Sequence, residues 1–202
     1  FSEQELKWWE SFGITQELLK KYNVYSCKNV FLNGSYLTSS SETDFIFAYY
    51  RGSIDGIDYF RIYFPMRKHF RFLSNWTAKM IQGAKQLPKT GDFLVITKSM
   101  KDVMTLASFG ITAIAPNSET LFLSEEQYEK VKKRFKRIIL LYDNDLAGIS
   151  NMNKIRKSFK DISCVWIHRR YAKDISDFRK KYGEENTRKL INKAKRILNI
   201  NG

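Results

Sequence analysis

Residues 137–148, RIILLYDNDLAG, restrict the possible folds more than any other stretch of the chain. Ile138 to Tyr142 form an apolar and aromatic run without alternation, which reads as a short strand buried on both faces. The run stops at Asp143-Asn144-Asp145 and continues as Leu-Ala-Gly. On an extended backbone, positions i and i+2 point to one side. Asp143 and Asp145 are therefore expected to aim their carboxylates together while Asn144 turns away. Two carboxylates that close repel unless a cation neutralises them, and a divalent ion does so best. The carboxyl end of a buried parallel strand is also where α/β sheets place ligands. Asp and Asn are common turn residues as well, so an ordinary strand-to-turn junction stands beside the cation reading.

From residue 92 onward, strand and helix patterns alternate with short connections. The sequence predicts strands at 93–97, 111–115, 137–142 and 164–168. It predicts helices at 99–109, from Ser124 to near Lys136, near 147–159, and at 175–182 and 184–198 on either side of Gly183. Such alternation argues for a parallel sheet covered on both faces. The first part of the chain reads differently. Ser2 to Glu5 is a capping box that opens a helix carrying Leu6, Trp8 and Trp9. A second helix starts at Thr15, with Ile14 and Leu19 spaced for a hydrophobic staple, and ends near Asn23. Tandem tryptophans can stack on bases, but next to helical Leu and Phe they are more often core. Residues 24–73 are β-rich, with strands at 45–50 and 57–64 and a hairpin signal at Asp55-Gly56. Residues 66–90 are irregular and basic, which puts a domain boundary near 90. The expected class is α/β: an α+β N-terminal subdomain, 1–90, then a four-stranded parallel sheet with flanking helices, 91–202.

Charge narrows the partners. The 202 residues hold 35 Lys and Arg against 21 Asp and Glu, a net +14 that suits a polyanion, nucleic acid first. The basic residues are dispersed, and no apolar run reaches the length of a membrane span, so no membrane role is expected. Nothing reads as a signal peptide, and Phe1 in place of Met suggests a piece of a longer protein. Cys27 and Cys164 lack zinc-module spacing and read as buried, reduced thiols of a cytosolic protein. His69 and His168 also lack ligand spacing and read as structural or nucleotide-contacting.

Several further segments carry a family resemblance. A unit of alternating strands and helices with D-x-D after its third strand resembles the Toprim domain, the metal-binding fold of bacterial and phage primases, topoisomerases and certain nucleases. Arg61-Ile-Tyr-Phe-Pro65 is similar to the R-I-x-F-P of primase polymerase cores. Residues 71–75 and 81–87 fall where those cores carry their next two motifs, and Lys173-Asp174-Ile-Ser-Asp177 resembles their K-D-x-x-D/E element. The resemblance spans roughly residues 57–180 and favours the primase branch, of phage-like type.

That resemblance implies Asp143 and Asp145 as ligands of Mg²⁺ or Mn²⁺, with Asp174 and Asp177 binding a further metal or holding the ligand loop. The alternative role for the latter pair is helix capping. It also implies Arg61, Lys79, Lys85 and Lys173 as contacts to triphosphate or template phosphates. One position departs from the pattern: Lys98-Ser99 stands where Toprim domains present Glu-Gly, although Asp102 is kept. Asp102 also completes a capping box with Ser99, and a lysine at a strand end beside a helix N-terminus suits phosphate. Either another carboxylate substitutes, or the site binds without catalysing. Glu119, in the loop after the second strand, is the expected substitute, with Lys98 clamping the triphosphate.

The expected function is the RNA-polymerase core of a primase, with single-stranded DNA template in a cleft between the subdomains. Residues 130–137 and 154–160 would extend its basic track, unless they are solvated helix faces. Nucleoside triphosphates and a replicative helicase, fused or separate, are the expected partners, in a bacterial or phage-infected cytoplasm. A zinc-binding module is expected upstream or on a partner. A Toprim nuclease and a non-catalytic Toprim nucleic-acid-binding module are the alternatives.

Overall fold

The computed structural model describes residues 1–117 and 122–200, and these pack as two compact units. The first comprises Phe1–Glu10 with Thr15–Thr77, the second Ser11–Ile14 with Ala78–Gly202.

In the first unit, α1 (Glu3–Glu10) opens with the capping box expected from the sequence. Glu5 N–H donates to Ser2 Oγ at 3.2 Å and Ser2 N–H donates to Glu5 Oε2 at 2.7 Å. Trp9 is fully buried against Phe47 and belongs to the core, while half-buried Trp8 stacks on the same ring. After α2 (Gln16–Lys21), a four-stranded antiparallel sheet runs in the order β1 (Val24–Ser26), β4 (Phe47–Ile54), β5 (Ile57–Tyr63), β6 (Phe72–Ser74). Asp55 and Gly56, at φ 52° and 77°, close the β4–β5 hairpin. Positive φ at both central residues gives the turn a twist that matches its strands. Asn33 and Gly34, at φ 51° and 80°, close a second hairpin of β2 (Asn29–Leu32) and β3 (Ser35–Ser39) in the same manner.

The second unit holds a wholly parallel sheet in the order β10-β9-β7-β8. Its chain order is β7 (Gly91–Ile96), α3 (Met100–Ser108), β8 (Ala113–Ile114), α4 (Glu125–Lys132), β9 (Phe135–Leu141), α5 (Leu146–Ser158), β10 (Ser163–Val165) and α6 (Ile175–Ile197). The fourth strand is shorter than the sequence suggested, and α4 stops earlier, because Phe135 already pairs with Gly91 at the foot of β9. Helix α6 contains the expected break: Gly183 takes φ 79°, ψ 178°.

Successive strand residues face opposite sides of this sheet. Leu94, Ile96, Ile138 and Leu140 pack with Tyr128 and Val131 of α4 and with Met152 and Ile155 of α5. Phe93, Val95, Ile139 and Leu141 face Leu106 of α3 and Leu190, Ile191 and Ala194 of α6. Burying each large side chain contributes about 1.5–3 kcal/mol, and the double coverage explains the run without alternation.

The chain leaves β7 for β8 on one side, and β9 lies on the other. Their carboxyl ends therefore form a topological switch point, the crevice in which such sheets bind ligands. Residues 78–90 belong with this unit rather than with residues before 78: Gln82 and Ala115 exchange backbone hydrogen bonds of 2.8 and 3.0 Å.

Candidate functional site at the carboxyl edge of the parallel sheet

The backbone at the end of β9 makes a close turn into α5. Asp145 is the N-cap of that helix, and Gly148 N–H donates to its Oδ1 at 2.7 Å. A Cβ on Gly148 would lie 2.0 Å from the Asp143 carbonyl oxygen, so only glycine allows this approach. Asn144 turns away, as the strand geometry required, and its Nδ2 donates to the Ile167 carbonyl at 3.0 Å. The carboxylates of Asp143 and Asp145 meet at one group: Lys173 Nζ lies 3.3 Å from Asp143 Oδ2 and 3.8 Å from Asp145 Oδ2.

A second lysine approaches from the neighbouring strand end. Lys98, just after β7, places Nζ 3.7 Å from Asp143 Oδ2, with side-chain exposures of 5% and 8% for the pair. Lys173 is 57% exposed, so the two lysines differ sharply in access to water. Burial pushes the Asp143 carboxyl above its ordinary range; Lys98 and Lys173 pull it back, and Asp174 opposes them.

Asp102 and Asp174 brace the site. Ser99 caps α3, accepting from Asp102 N–H at 3.1 Å, and its hydroxyl donates to Asp102 Oδ2 at 2.7 Å. Asp102 Oδ1 accepts from Ser176 N–H at 3.3 Å, which ties α3 to the start of α6. Burial, and next the charge of Asp174, push the Asp102 carboxyl up to about 7. Asp174 caps α6, accepting from Asp177 N–H at 2.7 Å and Ser176 Oγ at 2.8 Å. The Asp102–Ser176 tie thus fixes the segment that carries Lys173.

Gln82 was not singled out in the sequence. It is buried, accepts from Met100 N–H at 3.1 Å and donates to the Pro116 carbonyl at 2.7 Å. One amide therefore joins the turn after β7 to the loop after β8. Its sequence signal was its place in the motif-like segment 81–87, beside Gly83.

The structure brings together Lys98, Asp143, Asp145 and Lys173, with Asp102 and Asp174 adjoining them. Asp177 is paired instead with Lys101, at 3.3 Å. Lys79 is placed at α4, where its carbonyl accepts from Gln127 at 2.8 Å, and Lys85 is exposed in the short 3-10 turn Ala84–Gln86. Arg61 lies on β5 of the first unit, its guanidinium 4.5 Å from the Phe72 ring centroid. Glu119 lies outside the described residues.

Among the described residues, no three His, Cys, Asp or Glu side chains are grouped to hold a metal ion alone. Mg²⁺ commonly takes one or two protein carboxylates and completes its shell with water and substrate phosphates. Asp143 and Asp145 supply such a pair of carboxylates, with the Lys173 ammonium within 3.8 Å of both. The donor set fits a metal that arrives with phosphate.

Residues 95–179 match the Toprim-like family model. No curated protein matches the chain in sequence. The fold is that of primase catalytic cores. The catalytic domain of DnaG primase bound to single-stranded DNA superposes with TM-score 0.68 at 13% identity, over 95% of this chain and 74% of that one. The zinc-binding and RNA polymerase domains of Aquifex aeolicus primase give 0.64 at 17% identity, over 95% and 56%. The primase fragment of the bacteriophage T7 primase-helicase protein gives 0.62 at 14% identity, over 91% and 71%. Among the described residues, no helix is long and apolar enough to cross a membrane.

Proposed function

We propose that this chain, Toprim-like over residues 95–179 and folded as primase catalytic cores are, makes short RNA primers on a single-stranded DNA template. The observation that carries the reading is the pair Asp143 and Asp145, held around a displaceable ammonium at the switch point of that fold. Asp143 and Asp145 would hold Mg²⁺ or Mn²⁺, which would neutralise charge on a bound triphosphate and so favour attack of a 3′-hydroxyl on its α-phosphate with departure of pyrophosphate.

Phosphoryl transfer asks the protein mainly for positioning and charge stabilisation. Gly148 permits the turn that points Asp143 and Asp145 at one volume. Lys173, once displaced from them, would meet phosphate oxygens while its segment remains tethered through Asp174 and Ser176 to Asp102. Lys98 favours the ionised form of Asp143 against the effect of its burial. Asp102 and Asp174 act as positioning residues, and Asp177 steadies α3 through Lys101. Arg61, Lys79 and Lys85 serve as contacts to nucleotide or template phosphates, in keeping with the +14 charge. Two of the structural neighbours suggest partners: one was solved with single-stranded DNA, and another is part of a primase-helicase protein.

A second reading has its own support. A buried ammonium on Asp143 lowers the site's appetite for metal, which suits a module that binds nucleic acid without synthesis. Incubation with single-stranded template, ribonucleotides and Mg²⁺ or Mn²⁺ separates the readings. Template-dependent short RNA that disappears in Asp143→Asn/Asp145→Asn supports the polymerase. A gel shift without RNA supports the binding module, and shortened template would indicate a Toprim nuclease.

A further inference from the structure

We infer that residues 166–173, the connection from β10 to α6, form a seat for single-stranded nucleic acid beside the acidic pair. Arg169 and Arg170 take a backbone phosphate, and Trp166 takes an unstacked base. The inference rests on the reading that this sheet edge handles nucleic acid, and it adds which residues grip the strand and where it crosses the edge.

The segment reads Trp-Ile-His-Arg-Arg-Tyr-Ala-Lys, with three cations, two large aromatics and no carboxylate. Both of its ends are anchored to the D-x-D turn. The Ile167 carbonyl accepts from Asn144 Nδ2 at 3.0 Å, and Lys173 Nζ lies 3.3 Å from Asp143 Oδ2. Between the anchors the backbone turns. Tyr171 N–H donates to the His168 carbonyl at 2.8 Å, and Arg170 N–H donates to His168 Nδ1 at 3.3 Å. Arg169 and Arg170 are the central residues of that turn, and both are exposed. Helix α6 holds the turn in place: the Tyr171 ring meets Tyr182 edge-on at 6.2 Å, and Lys181 donates to the Tyr171 carbonyl at 3.4 Å. The Arg170 guanidinium lies 4.6 Å from the Tyr171 ring centroid, which limits its freedom in turn.

Trp166 follows directly on β10 and is 58% exposed, a large ring left in water at a strand end. Such a ring offers a face on which a base can stack, whatever its sequence. The neighbouring charges select the partner. An apolar peptide gains nothing from two adjacent guanidiniums, whereas a nucleic-acid strand presents phosphates and bases in alternation. A duplex keeps its bases stacked on one another and would leave Trp166 unused, so the strand is single. The anchors on Asn144 and Asp143 then set its course past the acidic pair.

The test follows binding of the full chain to a fluorescein-labelled oligodeoxythymidine of about 12 nucleotides by anisotropy. A salt series and a blunt duplex of equal length are run beside it. Arg169→Ala/Arg170→Ala should weaken single-strand binding about tenfold or more and flatten its salt dependence. Trp166→Ala should weaken it about tenfold with the salt dependence unchanged, and Trp166→Phe should restore most of the loss. Neither tryptophan variant should alter duplex binding. Lys193→Ala/Arg196→Ala removes the same charge from exposed positions late in α6 and should cost less than about threefold. Equal losses in the two double variants would overturn the inference. So would a Trp166→Ala chain that binds the single strand normally or loses the duplex equally, or a wild type that binds no single strand. Primer synthesis is scored separately. A seat that behaves as described in a chain making no RNA keeps the inference and removes the polymerase, whereas RNA synthesis with normal binding by these variants does the reverse.

Discussion

The turns that follow β7 and β9 have the same plan and opposite charge. Each leaves a buried parallel strand, passes through a buried ionic side chain and enters a helix through an N-cap: Lys98 then Ser99 at α3, Asp143 then Asp145 at α5. Three residues after each cap, a backbone N–H returns to the cap oxygen, at 3.1 Å from Asp102 and 2.7 Å from Gly148. What occupies that third position differs completely. After β7 it is a buried carboxylate that reaches on to Ser176; after β9 it is a glycine pressed against the Asp143 carbonyl. The fold requires a cap and a tight turn but does not dictate the sign of the charge. The charges are therefore where chemistry was free to vary, and the glycine is where it was not.

The sharpest way to break the comparison is to give the β9 turn the side chain that the β7 turn has. Gly148→Ala places a carbon 2.0 Å from a backbone oxygen, which no rotamer relieves. The turn must open, with an expected cost above about 4 kcal/mol. Denaturant unfolding should show the loss, and primer synthesis should vanish with it. Asp143→Asn comes next. It leaves the Lys98 ammonium buried beside a neutral amide, and breaking a buried pair in this way costs roughly 3 kcal/mol or somewhat more. Lys98→Met combined with Asp143→Asn should restore much of that stability without restoring synthesis; a double variant no more stable than the single one would show that the pair is not coupled.

The two turns were unequally legible in the sequence. The β9 turn announced itself, because its unbroken apolar run stops at Asp143-Asn144-Asp145, and i, i+2 geometry then sets the carboxylates together. The structure agrees down to Asn144 turning outward. The β7 turn gave its cap, Ser99 with Asp102, but not the partner of Lys98. A lysine at a strand end looks the same whether it awaits phosphate or pairs with a neighbouring strand, and only the strand order β9-β7 decides. Gln82 was hidden for a similar reason, since its two partners come from turns distant in the chain. Local signals fared better: Asp55-Gly56 closes its hairpin as expected, and Asn33-Gly34 obeys the same rule. Helix α4 ran too long in the sequence because residues 133–137 are mostly charged and carry no stop signal; pairing of Phe135 with Gly91 ends it.

A pH titration sharpens the comparison, since only the β7 turn carries an ionisable group at the third position. Asp102 is pushed up to about 7 by burial, reinforced by Asp174, against an unfolded value near 3.8. Between those values the folded chain holds a proton that the unfolded chain has lost. The contribution of Asp102 to stability is thus complete below about pH 4 and is lost as the pH rises to about 7. The slope is at most about 1.4 kcal/mol per pH unit. Asp143, also raised by burial, acts in the same direction, so the informative quantity is the difference between wild type and Asp102→Asn. That difference should shrink from pH 5 to pH 7; a constant difference would mean that Asp102 is ionised throughout.

The smallest expected effect tests whether the two caps are equivalent. Ser99→Ala removes the acceptor for Asp102 N–H and the hydroxyl that donates to Asp102 Oδ2. The cap alone is worth about 1 kcal/mol. The lost donor makes the Asp102 carboxylate harder to keep ionised, because one of the bonds that lowers its pKa is gone. Stability should therefore fall by about 1 kcal/mol at pH 5 and by somewhat more at pH 8. The melting temperatures of Ser99→Ala and wild type at those two pH values measure this directly. At the β9 turn no such pH dependence is expected from the cap's partner, because Gly148 presents only a backbone N–H to the Asp145 carboxylate. An equal loss at both pH values would mean that Ser99 serves only the helix end, and that the two turns differ in charge but not in how their caps are wired.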